Sequence, residues 1–177
     1  DEILTYGKIV SNGRKLAGRL KDSGFGKGDV LALLMRNHPE FVYTLYAANV
    51  LGTILLPIDP RTKDERLAFV LKDSKTKGVI FSTEFTDSIL PVLRDLPEIE
   101  IIGTVCKEGM QQTEDLPNIA EIWKEPEAQL PTDRCDDINA PMEIIYTSGT
   151  TGDPKGVVLK NSRLAPFGML AQGVFQY

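Results

Sequence analysis

The chain has few of the residues that metal-binding, redox and membrane proteins depend on. Its 177 residues include two cysteines and one histidine. Neither Cys106 nor Cys135 has a CxxC partner or a neighbouring histidine, which argues against zinc and redox motifs and favours reduced thiols. The longest clean apolar run, residues 30–35, is about a third of the roughly 18 residues that a membrane span needs. No secretory leader is visible, so we expect a cytoplasmic protein without an integral membrane segment.

An excess of positive charge is also missing. The chain carries 20 Lys and Arg against 25 Asp and Glu, for a net charge of −5, and the two signs are interspersed. No basic face therefore favours nucleic acid or an anionic membrane as the partner, and any anion must be bound by a local site. With 42% hydrophobic and 25% charged residues, the composition is typical of one globular domain with a single core.

Helical and strand patterns alternate through residues 1–105. Thr5 is suited to cap the first helix, and Thr62 with Glu65 matches a capping box for the third. Helices are expected over residues 5–22 and 39–52, a third from residue 62, and a fourth, weakened by Pro91, over residues 85–93. Strands are expected over residues 30–35, 53–57, 78–81 and 100–105. This alternation predicts a doubly wound, mostly parallel α/β sheet flanked by helices.

The remaining residues divide into a connector and a second pair of strands. Residues 106–141 are polar and contain prolines, which favours a surface connector with one short helix near residues 119–123. Residues 142–146 and 156–159 are typical of strands, and a further helix should follow within the segment 142–177. We therefore expect residues 1–177 to form a single α/β domain fragment.

The loop between these two strands is dense in hydrogen-bond donors. Residues 146–156 read Tyr-Thr-Ser-Gly-Thr-Thr-Gly-Asp-Pro-Lys-Gly, and we call this stretch the signature loop. Glycines let backbone N–H groups approach an anion, hydroxyls add rotatable donors, and a lysine adds a compact positive charge. The candidate phosphate-binding residues are Thr147, Ser148, Gly149, Thr150, Thr151, Gly152 and Lys155. On residue types alone, an ordinary polar hairpin remains the alternative.

Two common phosphate motifs do not match the chain. A Walker A loop ends in Gly-Lys-Ser/Thr, whereas here Pro154 precedes Lys155 and Gly156 follows it, so the hydroxyl that would hold magnesium is missing. The dinucleotide fingerprint Gly-x-Gly-x-x-Gly also fails, because Gly24, Gly26 and Gly28 have the wrong spacing and follow a helical pattern.

Three other polar or aromatic features have simpler structural interpretations. His38 precedes Pro39 at a predicted helix start, which favours a cap or loop residue over a catalytic base. The pair Asp136-Asp137 lies in a polar connector and is more typical of a solvated turn than of a metal site. Trp123, spaced from two isoleucines, is interpreted as a packing residue.

The order of residues in the signature loop resembles, at every position, that of the adenylate-forming superfamily. This superfamily includes acyl- and aryl-CoA ligases, luciferases and the adenylation domains of peptide synthetases. Two more stretches follow the same order: Leu4-Thr5-Tyr6 and residues 52–60, Gly-Thr-Ile-Leu-Leu-Pro-Ile-Asp-Pro. The chain looks most like an acyl-CoA synthetase, and the resemblance implies part of a larger N-terminal domain. It departs from many relatives at Lys160-Asn161, where they have Thr-His.

The resemblance implies ATP-dependent activation of a carboxylic acid to an acyl-adenylate, followed by thioester formation with coenzyme A. Lys155 matches the position expected to act in catalysis, and the other candidate loop residues match nucleotide-phosphate positions. ATP, Mg²⁺ and coenzyme A are the implied cofactors, and a small-molecule carboxylic acid is the implied partner. The family's sites for Mg²⁺ and coenzyme A fall mostly beyond residue 177, so we expect this fragment to be inactive alone.

Two other functions remain open from the sequence. A peptide-synthetase adenylation domain would share the first reaction but load a carrier protein. A non-catalytic nucleotide- or acyl-binding module would keep the signature loop without the rest of the active site.

Overall fold

The computed structural model describes residues 4–106, 109, 115–129, 137–147 and 153–163. The strands are β1 (Val30–Leu34), β2 (Ile54–Pro57), β3 (Thr76–Ser82), β4 (Glu100–Val105), β5 (Pro141–Thr147) and β6 (Lys155–Lys160). The helices are α1 (Tyr6–Asp22), α2 (Pro39–Leu51), α3 (Asp64–Asp73), α4 (Thr86–Arg94) and α5 (Ile119–Ile122). Two 3₁₀ turns, Thr83–Phe85 and Asn161–Arg163, precede α4 and follow β6.

Within these residues the strands form one sheet of six in the order β4-β3-β1-β2-β5-β6. The first five run parallel, and β6 returns antiparallel to β5. The chain moves from β1 to β2 on one side and then crosses back to place β3 on the other side of β1. The prediction of a doubly wound, mostly parallel sheet is confirmed.

The sheet is buried on both faces because consecutive side chains of a strand point to opposite sides. In β1, Val30, Ala32 and Leu34 pack with residues of α3 and α4. Leu31 and Leu33 pack instead with residues of α1, α2 and α5. All five residues of β1 are buried, which explains why this strand appears in the sequence as an uninterrupted apolar run.

Helix ends follow their sequence signals in α1 and α2. The Thr5 hydroxyl accepts a hydrogen bond from the Lys8 amide at 3.2 Å and caps α1 as predicted. Gly52 ends α2 with φ at 70°, in the left-handed region where glycine has no Cβ penalty.

The predicted capping box of α3 is wrong. The helix begins at Asp64, whose φ is 50°, and its N-cap is Lys63, which makes no side-chain cap hydrogen bond. The Thr62 amide donates instead to the Asp59 carbonyl at 2.8 Å in a preceding turn. Thr62 therefore lies one residue too early to cap α3.

The described part of residues 106–141 contributes to packing. Ile119 and Ile122 of α5 are buried in the second core layer. Trp123 meets Tyr43 edge-on, with ring centroids 5.4 Å apart, as expected for a packing residue. Asp137 accepts a hydrogen bond from the Asn139 amide at 2.9 Å in a turn, while Cys135 and Asp136 lie outside the described residues.

No helix within the described ranges combines the length and apolar character that crossing a bilayer requires.

Candidate functional site

The signature loop connects the two strands at one edge of the sheet. Thr147 is the last residue of β5, Lys155 is the first of β6, and the two are paired across the strands. We call Pro141–Lys160 the signature hairpin. Ser148, Gly149, Thr150, Thr151 and Gly152 lie outside the described residues, so the structure gives the positions of Thr147 and Lys155 alone among the candidates. The antiparallel pairing of β5 and β6 is compatible with both interpretations of the loop, the polar hairpin and the phosphate-binding loop.

The position of the loop agrees with a general property of parallel α/β sheets. β5 runs parallel to β2, so Thr147 lies at the edge where the carboxyl ends of the parallel strands meet. Ligands of such sheets bind at this edge. Both Thr147 and Lys155 are exposed there, and cross-strand pairing places their side chains on the same face of the hairpin.

A cleft of about 440 Å³ adjoins the beginning of the loop. It lies between the end of β2, α3 with its preceding turn, and the signature hairpin. Its lining residues are Pro57, Ile58, Asp59, Arg61, Thr62, Arg66, Val70, Tyr146, Thr147 and Pro154.

Sequence reasoning missed the charged residues of this cleft. Asp59 and Arg61 follow β2 directly, and Arg66 is in the first half of α3. Their position after a predicted parallel strand could have identified them as candidates. Residues that follow the strands of a parallel sheet lie at the edge where ligands bind.

Asp59 and Arg61 form a close ion pair at the mouth of the cleft. The Arg61 Nη2 donates to Asp59 Oδ2 at 2.7 Å, and the Arg61 amide donates to Asp59 Oδ1 at 2.9 Å. Hydrogen bonds from the Arg61 side chain and amide, with the charges of Arg61 and Arg66, lower the pKa of Asp59 from 3.8 to about 2. Arg66 forms no ion pair within 4.0 Å in the described part of the chain, and its positive charge acts on Asp59 from a longer distance.

Two groups of β5 have raised pKa values. Burial raises the pKa of the Glu143 carboxyl above its ordinary value of 4.5. Burial, together with the hydrogen bond and charge of Asp73, raises the pKa of the Tyr146 hydroxyl. The Tyr146 hydroxyl therefore stays protonated and donates to Asp73 Oδ2 at 2.5 Å.

His38 is at the N-cap position of α2, as predicted, but makes no side-chain cap hydrogen bond. Its Nε2 is buried without a hydrogen-bond partner among the described residues. It does not line the cleft beside the signature loop.

Comparison with known proteins adds independent evidence. A sequence model of the family described as "AMP-binding enzyme" matches residues 1–174. A 4-coumarate–CoA ligase from Humulus lupulus is 32% identical over 165 residues, which cover 92% of this chain and 29% of that protein. A dimodular nonribosomal peptide synthase from Bacillus subtilis is 30% identical over 172 residues, which cover 97% of this chain and 7% of that protein. The chain thus spans less than a third of these relatives' length.

Solved structures share the fold. The anthranilate CoA ligase AuaEII, determined in complex with anthranoyl-AMP, superposes with a TM-score of 0.82 at 22% identity and covers 96% of this chain. The match covers 32% of that ligase.

Proposed function

This chain belongs to the AMP-binding enzyme family, and we propose that the full-length protein containing it activates a carboxylic acid with ATP and transfers the acyl group to coenzyme A. The single observation that carries this proposal is the pairing of Thr147 with Lys155 at the carboxyl-end edge of the sheet. This pairing places a hydroxyl and an ammonium group at the two ends of the signature loop. The relatives with which the chain shares 30% identity or more include CoA ligases and a peptide synthase.

The proposed reaction has two steps. A carboxylate oxygen attacks the α-phosphorus of ATP, the bond between the α-phosphorus and the bridging oxygen breaks, and pyrophosphate leaves. The thiol sulfur of coenzyme A then attacks the acyl carbonyl carbon, AMP leaves, and the thiol proton passes to solvent. Adenylation is needed because a free carboxylate has no good leaving group.

Lys155 has the central role in the first step. Negative charge moves onto the departing β- and γ-phosphates, and a positioned ammonium stabilises that charge without reacting covalently. Ser148, Gly149, Thr150, Thr151 and Gly152, with Thr147, would supply hydroxyl and backbone donors to the same phosphates. Asp153 has a carboxylate, which suits no phosphate contact, and receives no role.

The described residues bring together no group of three His, Cys, Asp or Glu side chains that could hold a metal ion. We therefore assign the nucleotide's metal no ligand in this part of the chain and derive no step through it.

Adenylation in a peptide synthetase is the second candidate, because similarity to the Bacillus subtilis synthase covers 97% of this chain. It would share the first step and differ in the acceptor, a carrier-protein thiol instead of coenzyme A. We place either reaction in the cytoplasm, where reduced thiols are expected, since neither cysteine has a CxxC partner or a neighbouring histidine in the sequence.

ATP–pyrophosphate exchange by the full-length protein over fatty, aromatic and amino acids tests the proposal. Exchange that depends on one acid class supports it, and thioester formation with coenzyme A or with a carrier protein distinguishes the two acceptors. ATP binding without exchange for any acid would favour a non-catalytic module. We expect residues 1–177 alone to form no adenylate.

A further inference from the structure

The signature hairpin is attached to the rest of the sheet near its beginning. Within the described residues, the register between β2 and β5 joins them at one pair, Leu55 with Glu143. The register between β5 and β6 continues to Thr147 and Lys155. One edge of β5 pairs with β6 and the other edge lies along β2, while Tyr146 and Thr147 at the end of β5 line the cleft. Side-chain contacts must therefore help to hold this end of β5 against the body of the domain.

Tyr146 makes a polar contact between the end of β5 and α3. Its hydroxyl donates to Asp73 Oδ2 at 2.5 Å, across 73 positions in the sequence. Its ring packs against the core layer of α3 and α4. The ring also lies over Gly156 of β6, where an ideal Cβ would be 3.1 Å from Tyr146 Cζ. Tyr146 thus connects both strands of the hairpin to α3.

Asp73 is well placed to act on both walls of the cleft. It is the last residue of α3, the helix that contributes Arg66 and Val70 to one wall. Through the Tyr146 hydroxyl it holds the opposite wall, which contains Thr147. The hydrogen bond fixes the separation between the two walls at the point where the chain enters the signature loop.

We propose that Asp73 is a positioning residue for ATP, which acts through Tyr146 to fix Thr147 against α3. The effect of Asp73 on the use of ATP rests on the proposed function, whereas its effect on the position of the signature hairpin does not. The donor is the hydroxyl of the half-buried Tyr146 and the acceptor is the exposed Asp73 carboxylate, so a charge-assisted hydrogen bond adds to ring packing in orienting Tyr146. Asp73 itself does not line the cleft.

Three variants of the full-length protein test this role by ATP–pyrophosphate exchange: Tyr146→Phe, Asp73→Asn and the double variant. Each single change should lower kcat/KM for ATP by roughly tenfold, as expected when a hydrogen bond to a charged group is lost. The double variant should be no worse than the more affected single variant, because both changes act on the same bond: Tyr146→Phe removes its donor, and Asp73→Asn removes the charge of its acceptor. The KM for the carboxylic acid should stay at the wild-type value. Tyr6→Phe, which alters an 89% exposed tyrosine, is the matched control and should behave as wild type.

Hydrogen exchange measured by mass spectrometry, without ligand, provides a readout independent of activity. Amides of residues 141–147 and 153–160 should exchange faster in Asp73→Asn and Tyr146→Phe than in wild type, and at the wild-type rate in Tyr6→Phe. Tyr146→Phe removes one oxygen atom and keeps the ring over Gly156, so it tests the bond even if Asp73→Asn fails to fold.

The outcomes separate this role from the proposed function. If wild type catalyses exchange and both single variants match it in kcat/KM for ATP, the positioning role is overturned and the proposed function stands. If wild type catalyses no ATP–pyrophosphate exchange with any acid, the proposed function fails, and hydrogen exchange alone tests the positional effect of Asp73. Faster hydrogen exchange in the variants then supports that effect, and an unchanged rate of hydrogen exchange overturns it.

Discussion

Thr147 and Lys155 lie directly opposite each other across β5 and β6, at the two ends of the signature loop. Strand pairing therefore fixes where the chain enters and leaves residues 148–154. A hydroxyl and an ammonium are brought to one face by backbone hydrogen bonds that need no ligand. This pre-organisation suits a group that must stabilise charge on phosphates as they depart.

The contact between Tyr146 and Gly156 leaves little room for a side chain at position 156. An ideal Cβ on Gly156 would lie 3.1 Å from Ile144 Cγ2 and 3.1 Å from Tyr146 Cζ. Gly156→Ala should destabilise the full-length protein by up to about 1 kcal/mol, at the low end for overpacking, since Ile144 and the Tyr146 ring must shift by a few tenths of an ångström. Urea denaturation measures this change. Gly26→Ala is the control, because an added Cβ there has no atom of the described residues within 4 Å. Equal changes in the free energy of unfolding for the two variants would contradict the close packing of Tyr146 on Gly156.

Two glycines of α1 should respond oppositely to alanine. A Cβ on Gly13 would lie 2.8 Å from Tyr46 Cγ of α2, so Gly13→Ala should cost about 1–3 kcal/mol of stability. Among the described residues, a Cβ on Gly7 meets Thr5 Oγ1 alone, at 4.0 Å, so Gly7→Ala should stabilise α1 by about 0.5–1 kcal/mol. Thermal unfolding of the two variants gives the sign. A stabilising Gly13→Ala would contradict the observed packing of α1 against α2.

The ion pair at the cleft should be visible in the titration of Asp59. Its pKa is lowered to about 2 chiefly by Arg61, so Arg61→Gln should return it most of the way to 3.8. Because the folded pKa is below the unfolded one, the pair stabilises the fold above pH 3.8 and this contribution disappears as the pH falls toward 2. NMR of the Asp59 carboxyl carbon measures both values, with Lys63→Gln as the control. An Asp59 pKa still near 2 in Arg61→Gln would exclude Arg61 as its cause.

The pH dependence that Glu143 gives to stability should be opposite in sign to that of Asp59. Burial raises its folded pKa above 4.5, so the folded state holds the proton to higher pH than the unfolded chain. Stability from this group is complete below pH 4.5 and is lost as the pH rises through the folded pKa. Glu143→Gln should therefore gain stability relative to wild type between acid and neutral pH. Unfolding midpoints across this range test it, with the exposed Glu98→Gln as the control; parallel pH curves for wild type and Glu143→Gln would argue against the shift.

Local sequence patterns predicted most of the helices and strands, because the formation of these elements depends mainly on residues that are near one another in the sequence. The buried run of β1, the Thr5 cap and the Gly52 helix end all follow from short-range sequence signals. The capping box at Thr62 failed because Asp64 takes a positive φ and moves the start of α3. Its residue pattern contained no sign of this backbone conformation.

The candidate site could be predicted only in part. The signature loop was found from its order of residues, but Asp59 and Arg61 lie near it because β2 pairs with β5, and Arg66 of α3 lines the same cleft. The Tyr146–Asp73 bond spans 73 positions. Such contacts depend on the strand order β1-β2-β5, which local periodicity does not specify.

The most direct measurement is the ATP–pyrophosphate exchange rate of the full-length protein with its preferred acid, compared between Lys155→Ala and Lys160→Ala. Both lysines are exposed and lie at opposite ends of β6. Lys155→Ala should lose about 2–4 kcal/mol of transition-state stabilisation, a rate decrease of roughly 30- to 1000-fold, with little change in stability. Lys160→Ala should keep the wild-type rate. Wild-type exchange by Lys155→Ala would contradict the assignment of the signature hairpin to the phosphates of ATP.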